Sequence, residues 1–334
     1  MAKPKVLISD ELSPRAVEIL SERGCDVDFK PGLKPAELRA IIGNYEGLAI
    51  RSATKVTAEV LAEAKKLRVV GRAGIGVDNV DIKAATAHGV VVMNTPFGNA
   101  ITTAEHAIAL MFAVARQVPD ANTSTQAGKW EKNRFMGTEL SFKTLGLIGC
   151  GNIGSIVAER ALGLKMRVLA FDPFPAVEWA QQHGVEYTDP RTIASECEVI
   201  SLHTPLTPDT HHIVCRETLE LVKPGAILIN VSRGALIDTK ALIEALKSGR
   251  LGGVALDVYE EEEGVFFEDL SGQILHDDEL ARLLTFPNVL ITAHQAFLTQ
   301  EALAEIARVT VANLSAFASG EPFLPDTSLA NGTN

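Results

Sequence analysis

The chain has 334 residues, of which 46% are hydrophobic and 22% charged, a balance typical of a globular protein long enough for two domains. The formal net charge of −11 argues against nucleic acid or an anionic membrane as the main partner, but allows a small anionic substrate held by local Arg residues. No run approaches ~18 apolar residues, so no segment is predicted to span a membrane. The 4 cysteines are far apart and the N-terminus lacks a signal-peptide pattern. We therefore expect a cytoplasmic protein without disulfide bonds or a metal site.

Short apolar runs alternate with helical patterns along the first hundred residues. The runs KVLISD, GLAIRS, LRVVGR and GVVVMN are typical of buried parallel strands. The segments between them, such as SPRAVEILSERG, have helical spacing and end at a glycine. A long helix is then predicted from Thr102 to Gln117. It is apolar on most sides, so we expect it to lie buried between domains or between subunits.

A second strand–helix series begins at TLGLIG and continues through RVLAFD, EVISLH, AILINVS, GGVALDVY and NVLITAH. Alternation of this kind predicts a parallel sheet that is covered by helices on both faces. A last helix is predicted from about Thr299 to Ala318, followed by a polar tail. The chain is therefore predicted to hold two α/β units, and the pattern of strands and helices alone does not locate their boundary.

The segment TLGLIGCGNIGSIVAERALGLKMRVLAFD carries Gly149, Gly151 and Gly154 in the spacing G-x-G-x-x-G. The motif follows a predicted strand, opens a helix and precedes a second strand ending in Asp172, which is the full context of a dinucleotide-binding loop. The glycines allow a tight turn, close approach of a pyrophosphate and close helix–strand packing, and the helix N-terminus favours phosphate. Asp172 can accept hydrogen bonds from both ribose hydroxyls, and the following PFP supplies no Arg for a 2′-phosphate, so NAD is expected rather than NADP. A glycine turn without a ligand is the alternative.

Three polar groups follow predicted strands of the second series. Arg233 follows AILINVS, Glu262 follows GGVALDVY and His294 follows NVLITA. Ligands of open α/β sheets bind beyond the carboxyl ends of the strands. A histidine can exchange the hydroxyl proton of an alcohol, a carboxylate can orient it, and a guanidinium can bind a substrate carboxylate. Each group alone also has an ordinary structural interpretation, but the three together behind a dinucleotide loop favour a catalytic set.

At these motifs the sequence resembles the NAD-dependent D-2-hydroxyacid dehydrogenases, and the likeness extends over essentially the whole chain. SRGALID, ALDVYEEE and TAHQAF are similar to the motifs that carry the family's Arg, Glu and His. The resemblance implies that Arg233 clamps the substrate, that Glu262 is the partner of the histidine, and that His294 is the acid/base. Glu262 is selected from its four-Glu run because it lies five residues beyond the Asp of the D-V-Y strand.

The resemblance also implies the fold and further NAD contacts. We expect two doubly wound parallel-sheet α/β domains, with a Rossmann NAD-binding domain at residues 101–289 inserted into a flavodoxin-like substrate domain at residues 1–100 and 290–334. Besides the three glycines and Asp172, the expected NAD contacts are Asn152, Ile153, His203, Thr204, Pro205, Ser232 and Asp257.

The likeness differs between the two halves of the chain. Residues 1–165 resemble 3-phosphoglycerate dehydrogenases, as in VVGRAGIGVDNVDI and VMNTPFGNAITTAEHAIALM. Residues 168–325 resemble D-lactate dehydrogenases, as in SLHTPLTPDTHHIV, GVFFEDLSGQILHDDEL and HQAFLTQEAL. A recombinant, an engineered chimera and a divergent natural member would each show this pattern.

The two halves imply different substrates. The first half is expected to bind a phosphate and a carboxylate, whereas the bulky Phe297 beside His294 suits a small substrate such as pyruvate. We expect 3-phosphoglycerate oxidation, with D-lactate as the close alternative and an NAD-binding corepressor as the alternative of another class. A homodimer is expected through the Thr102–Gln117 helix and the WEKNRFMG segment, to which Lys132 and Arg134 add positive charge. The expected substrate contacts are Arg51, Arg72, Gly74, Ile75, Gly76, Asn99 and Phe297.

Overall fold

The computed structural model describes residues 3–12, 14–262 and 275–329. Most of the segment GVFFEDLSGQILHDDEL, which carried part of the lactate dehydrogenase likeness, lies outside these residues. The chain divides into a smaller unit, Met1–Asn99 with Leu298–Asn334, and a larger unit, Ala100–Phe297. The expected second boundary was at residue 290; the division falls later because the last strand of the larger sheet lies at Val289–Ile291.

The smaller unit contains a five-stranded parallel sheet with the order β2-β1-β3-β4-β5, which is the flavodoxin-like order. Alternate residues of β1 enter different apolar clusters, Leu7 on one side and Val6 and Ile8 on the other, so both faces of the sheet are covered. The strands are β1 Lys5–Ile8, β2 Asp26–Phe29, β3 Gly47–Ile50, β4 Val69–Arg72 and β5 Val91–Met93. The helices are α1 Pro14–Glu22, α2 Pro35–Ile41, α3 Ala58–Glu63, α4 Ile82–Ala87 and, from the end of the chain, α13 Gln300–Ser319.

Helix α13 closes one face of the smaller sheet, which explains why residues distant in sequence belong to this unit. Leu314 is fully buried, and a Cβ at Gly71 of β4 would lie 3.4 Å from its side chain. A Cβ at that distance would make an ordinary van der Waals contact, so Leu314 packs directly on this strand. The helix begins after Thr299, whose hydroxyl caps it by accepting the N–H of Ala302.

The larger unit contains a seven-stranded parallel sheet with the order β8-β7-β6-β9-β10-β11-β12. The chain starts in the middle, winds to one edge and then to the other, so the order reverses between β6 and β9, as in Rossmann folds. Leu228 and Ile229 of β10 enter different apolar clusters, so helices cover both faces. The strands are β6 Thr144–Ile148, β7 Arg167–Phe171, β8 Val185–Tyr187, β9 Val199–Leu202, β10 Ala226–Asn230, β11 Leu251–Leu256 and β12 Val289–Ile291. The predicted fold class is confirmed for both units.

Eight helices of the larger unit are described, in chain order after α4. The long predicted helix is α5, and its buried face is built from small residues such as Ala104 and Ala107, which allow close packing on α7, β10 and β11. The helices are α5 Ala100–Ala115, α6 Val118–Gln126, α7 Asn152–Gly163, α8 Val177–His183, α9 Pro190–Glu196, α10 Arg216–Leu219, α11 Thr239–Lys247 and α12 Asp278–Leu283. Among the helices of the described ranges, none combines the length and the apolar character needed to cross a membrane.

Candidate active site

The glycine loop lies where β6 ends and α7 begins. Gly149 has a φ of +94°, and a Cβ there would lie 2.5 Å from the carbonyl oxygen of His203. A Cβ at Gly154 would overlap the carbonyl of Gly149. Both positions therefore require glycine for packing within the chain. Gly151 differs, because a Cβ there would meet no described atom within 4 Å. Its open side fits the approach of a phosphate to the N-terminus of α7, which Asn152 and Ile153 begin.

Asp172 follows β7 and is tied to the glycine loop. Its Oδ2 accepts the N–H of Cys150 at 2.8 Å, and its Oδ1 accepts the N–H of Phe174 at 2.9 Å. A carboxylate oxygen has a second lone pair, so each oxygen can still accept a bond from a ribose hydroxyl. The half-buried Asp172 thus has the charge and the free acceptor capacity that a diol requires, and its negative charge opposes a 2′-phosphate.

The loop after β9 joins the glycine loop to the next strand end. The N–H of His203 donates to the carbonyl of Ile148 at 2.7 Å, and its Nε2 lies 2.8 Å from Oγ of Ser201. Burial lowers the pKa of His203 to about 4, so the ring is neutral at physiological pH. The carbonyl of Thr204 accepts the hydroxyl of Ser232 at 2.6 Å. Pro205, the third residue of this predicted NAD-binding set, is exposed.

Arg233 is carried by a turn that Asn230, the last residue of β10, closes. The buried Asn230 amide donates to the carbonyl of Arg233 at 2.8 Å and accepts the N–H of Ser232 at 3.0 Å. Gly234 follows, and a Cβ there would overlap the backbone of Tyr259, so only glycine allows the turn to lie this close to the end of β11. The Arg233 guanidinium donates to the carbonyl of Ser232 at 2.8 Å.

Glu262 and His294 are brought together by the ends of β11 and β12. Oε1 of Glu262 lies 3.0 Å from Nδ1 of His294, and each side chain is about a quarter exposed, at 28% and 27%. The backbone of His294 has a φ of +51°, a left-handed conformation that is uncommon for a residue with a side chain. The ring of Phe297 meets the imidazole edge-on, with 6.4 Å between centroids. This geometry leaves Nε2 on the side of the ring away from Glu262.

The acids beside Glu262 have other surroundings. Oε1 of Glu260 contacts Nε2 of His212 at 2.5 Å, and its Oε2 accepts both the N–H and the hydroxyl of Thr239. Burial raises the pKa of Glu260, but the hydrogen bonds from Thr239 and His212 outweigh it and hold the pKa below its ordinary value. The ring of His211 stacks on that of His212, so the three potential ligand atoms of His211, His212 and Glu260 lie within 4.8 Å of one another. With Glu260 already bonded to His212 and Thr239, this group is best described as a hydrogen-bonded cluster.

Asp257 was expected to contact NAD, and its carboxylate lies in a dense buried network. It is fully buried and accepts the hydroxyl of Thr292 at 2.5 Å and the N–H groups of Gln295 and Ala296 at 2.9 and 2.8 Å. Burial raises the pKa of this carboxyl, but the donors, led by His106, outweigh it and lower the pKa. Asp257 therefore holds the loop that carries His294, a function that the sequence did not suggest.

The expected substrate contacts of the smaller unit lie at the carboxyl ends of β3, β4 and β5. The N–H of Arg51 donates to Oδ2 of the buried Asp10 at 2.6 Å. Gly74, with a φ of +152°, gives room to the Arg72 guanidinium, which a Cβ at this position would overlap. The loop with Ile75 and Gly76 is held by Asn94, whose amide donates to the carbonyl of Ile75 at 2.8 Å. Asn99, the last residue of this part of the unit, is partly buried.

Asn230, His106, Thr292 and Asp10 were not predicted from the sequence. Each holds a loop or a carboxylate rather than facing a ligand, so no motif of ligand-binding chemistry marks it. The one available signal is a polar residue at or just beyond the end of an apolar run, as in AILIN for Asn230 and KVLISD for Asp10.

Comparison with known proteins shows that the chain is similar to dehydrogenases. Residues 108–296 match the family described as D-isomer specific 2-hydroxyacid dehydrogenase, NAD binding domain. The chain is 42% identical over 318 residues to the D-3-phosphoglycerate dehydrogenase of Archaeoglobus fulgidus, covering 95% of this chain and 58% of that protein. It is 44% identical over 303 residues to the enzyme of that name from Synechocystis, covering 91% and 52%. The chain thus spans about half the length of these curated relatives.

Solved structures extend the likeness to the second subfamily. The apo-structure of D-lactate dehydrogenase from Escherichia coli is similar with a TM-score of 0.80 and 34% identity, covering 98% of this chain and 100% of that one. The D-lactate dehydrogenase of Aquifex aeolicus, complexed with NAD and lactic acid, has a TM-score of 0.86 and 27% identity, covering 95% and 96%.

Proposed function

Because the chain belongs to the D-isomer specific 2-hydroxyacid dehydrogenase family, we propose that it is an NAD-dependent oxidoreductase acting on a D-2-hydroxyacid. The observation that carries the proposal is the 3.0 Å contact between His294 and Glu262 within an NAD-binding domain. In oxidation the substrate's C2 hydroxyl loses its proton to the protein and C2 loses a hydride, which leaves a 2-oxoacid. The reverse transfers reduce the oxoacid.

His294 exchanges the proton through Nε2, because Nδ1 is engaged by Glu262. Through this contact the Glu262 carboxylate fixes the orientation of the imidazole ring. Arg233 binds the substrate carboxylate and polarises the adjacent carbonyl, and the amide of Asn230 holds its backbone in place. The glycine loop and Asp172 would hold NAD, which when bound would supply the hydride acceptor. Replacing His294 by alanine should abolish most turnover while NAD binding survives.

We propose 3-phosphoglycerate as the substrate. Arg51 follows β3 and Arg72 ends β4, and these strands are paired, so two guanidinium groups stand at one edge of the smaller sheet. Two such groups suit a phosphate dianion. The curated relatives with 42–44% identity that are described above carry the phosphoglycerate name.

D-lactate is the second candidate substrate, and it is favoured by one contact. Phe297 places an aromatic ring 6.4 Å from the His294 ring, where it would limit the size of the group carried on C2. The Aquifex aeolicus neighbour, whose structure contains lactic acid, has the same overall fold with a TM-score of 0.86.

A kinetic comparison separates the substrates. We would measure kcat/KM for 3-phosphoglycerate and D-lactate with NAD, and for pyruvate with NADH, in the wild type and in Arg51→Gln and Arg72→Gln. A hydrogen bond to a charged group is worth ~1.5–3 kcal/mol, so each variant should lose about 10- to 100-fold with phosphoglycerate and much less with lactate. Arg39→Gln is the matched control, because Arg39 is an exposed residue of the same unit that pairs with Glu59. Equal losses with both substrates would remove the phosphate-binding role.

The same assay tests the alternative of another class, an NAD-binding corepressor. Bound NAD without turnover on any D-2-hydroxyacid would favour that module over an enzyme.

We also propose a homodimer through α5, α6 and the segment that follows them. Large apolar side chains are exposed there, including Trp130 at 85%, Met136 at 82% and Val118 at 52%. A second copy of the chain is the occupant that would cover them, since twofold interfaces are the commonest among soluble oligomers. Light scattering should show a dimer at micromolar concentration, and Trp130→Asp should shift it toward monomer.

The 4 cysteines are free, which supports the proposed cytoplasmic location.

A further inference from the structure

His106 of α5 reaches the network that surrounds Asp257. Its Nε2 lies 3.4 Å from Oδ1 of Asp257 and 3.3 Å from Oγ1 of Thr292. The hydroxyl of Thr292 lies 2.5 Å from the same Oδ1 and donates its one proton there, since an ionised carboxylate only accepts. Nε2 of His106 must therefore carry a hydrogen, shared between the carboxylate and the hydroxyl oxygen.

The same carboxylate determines the backbone path at His294. It accepts the N–H groups of Gln295 and Ala296, while the carbonyl of Asp257 accepts the N–H of His294 at 2.7 Å. These bonds hold His294 in its left-handed conformation, which costs ~1–2 kcal/mol for a residue with a Cβ. A strained backbone of this kind persists only where its surroundings over-determine it.

We infer that His106 is a positioning residue for the acid/base histidine: its Nε2–H holds the buried Asp257 carboxylate, which in turn fixes the 292–296 loop and the ring of His294. The inference rests on the proposed function of His294. His106 itself touches neither Glu262 nor His294 in the contacts described, and its side chain is 19% exposed, so it acts from within the fold.

Replacement of His106 by leucine removes the donor and keeps most of the volume. A buried carboxylate that loses a donor draws on its remaining donors, Thr292 and the two loop amides, and so the loop moves. A displacement of the acid/base by about 1 Å can cost up to ~100-fold in rate. We expect His106→Leu to lower kcat by about 10- to 100-fold, with KM for NAD changed less than about threefold. His106→Gln, whose amide N–H can reach the same position, should recover most of the loss.

A double-mutant cycle asks whether His106 acts through His294. In a His294→Ala background, His106→Leu should cause no further loss of the residual turnover. An added loss in that background, or no recovery by glutamine, would overturn the inference. His183→Leu is the control, because His183 is a partly exposed histidine on α8 of the same unit.

Hydrogen exchange supplies a readout that does not depend on turnover. His106→Leu should accelerate exchange at the amides of residues 294–296 relative to the amides of β6, and His106→Gln should not. Unchanged exchange at residues 294–296 in His106→Leu would refute the positioning role, whether or not the protein turns over a D-2-hydroxyacid. Protected amides in a wild-type protein that shows no turnover would refute only the proposed function. If the leucine variant fails to fold, Thr292→Val removes a donor from the same carboxylate with little change in volume. It should also lower kcat and accelerate exchange at residues 294–296, and unchanged exchange there would refute the role of the carboxylate network.

Discussion

Replacement of Asp172 by alanine tests the cofactor assignment most directly. Both carboxylate oxygens retain acceptor capacity after their bonds to the N–H groups of Cys150 and Phe174, so two hydrogen bonds to the ribose diol are expected. A hydrogen bond to a charged group contributes ~1.5–3 kcal/mol, and water in the vacated space would replace part of it. We therefore expect a net loss of about 2.7 kcal/mol, which corresponds to a ~100-fold higher KM for NAD.

The NAD/NADP preference is the more specific measurement. Asp172→Ala also removes the charge that opposes a 2′-phosphate, so kcat/KM for NADP should rise or stay level while that for NAD falls. The ratio of the two kcat/KM values should drop by at least ~100-fold. Thermal denaturation must accompany the kinetics, because Asp172 also anchors the glycine loop through Cys150. Glu178→Ala, at an exposed acid in the first turn of α8, is the matched control for net charge. A ratio that does not change would refute the role of Asp172.

Three further predictions concern residues of the larger unit. Glu262→Gln should lower kcat by at least ~10-fold, because the carboxylate orients His294. The dissociation constant for NAD, measured by fluorescence titration, should stay within about threefold, because Glu262 does not contact the glycine loop. A parallel loss of NAD binding would mean that Glu262 supports the fold rather than catalysis. Asn230→Leu removes the hydrogen bonds that the Asn230 amide makes to the partly buried backbone of Ser232 and Arg233, so it should lower the free energy of unfolding by about 1–3 kcal/mol in urea titrations and reduce kcat/KM as well. Glu260→Gln should have a lower free energy of unfolding than the wild type at pH 7. Folding lowers the pKa of Glu260, so its ionised carboxylate stabilises the fold above the ordinary pKa of 4.5, and this stabilisation is lost as the pH falls below that value. The difference in stability between the variant and the wild type should therefore shrink in acid.

Much of the fold could be predicted because each buried parallel strand is an almost uninterrupted apolar run. The ten strands predicted from such runs are all present. Within the described residues two strands were missed, β2 and β8. Both are edge strands, and β2 alternates acids with apolar residues in the sequence DVDF. An edge strand buries less of its surface, so the hydrophobic signal that marks the central strands is weak there.

The choice among the glutamates shows which part of a site the sequence can provide. Family spacing selected Glu262, and its contact with His294 agrees with that choice, while Glu260 bonds to His212 and Thr239. The sequence alone could not distinguish the two, because their difference depends on which loop each carboxylate meets. His212 lies 48 residues from Glu260 along the chain, and no local pattern records such a contact.

Three buried polar residues perform one task in both units of the molecule. Asp10 follows β1 and binds the N–H of Arg51, Asn230 ends β10 and closes the turn of Arg233, and Asp257 follows β11 and holds the loop of His294. In each case a side chain at the carboxyl end of one strand satisfies the backbone of a loop that carries a predicted site residue. The backbone N–H and C=O groups of a loop are not paired by a neighbouring strand, so they need other hydrogen-bond partners. A short polar side chain at the end of a strand is rigidly held and lies close enough to supply them. Substitution of such a residue should therefore reduce catalysis and stability together, whereas substitution of Arg233 or His294 should reduce catalysis with little loss of stability.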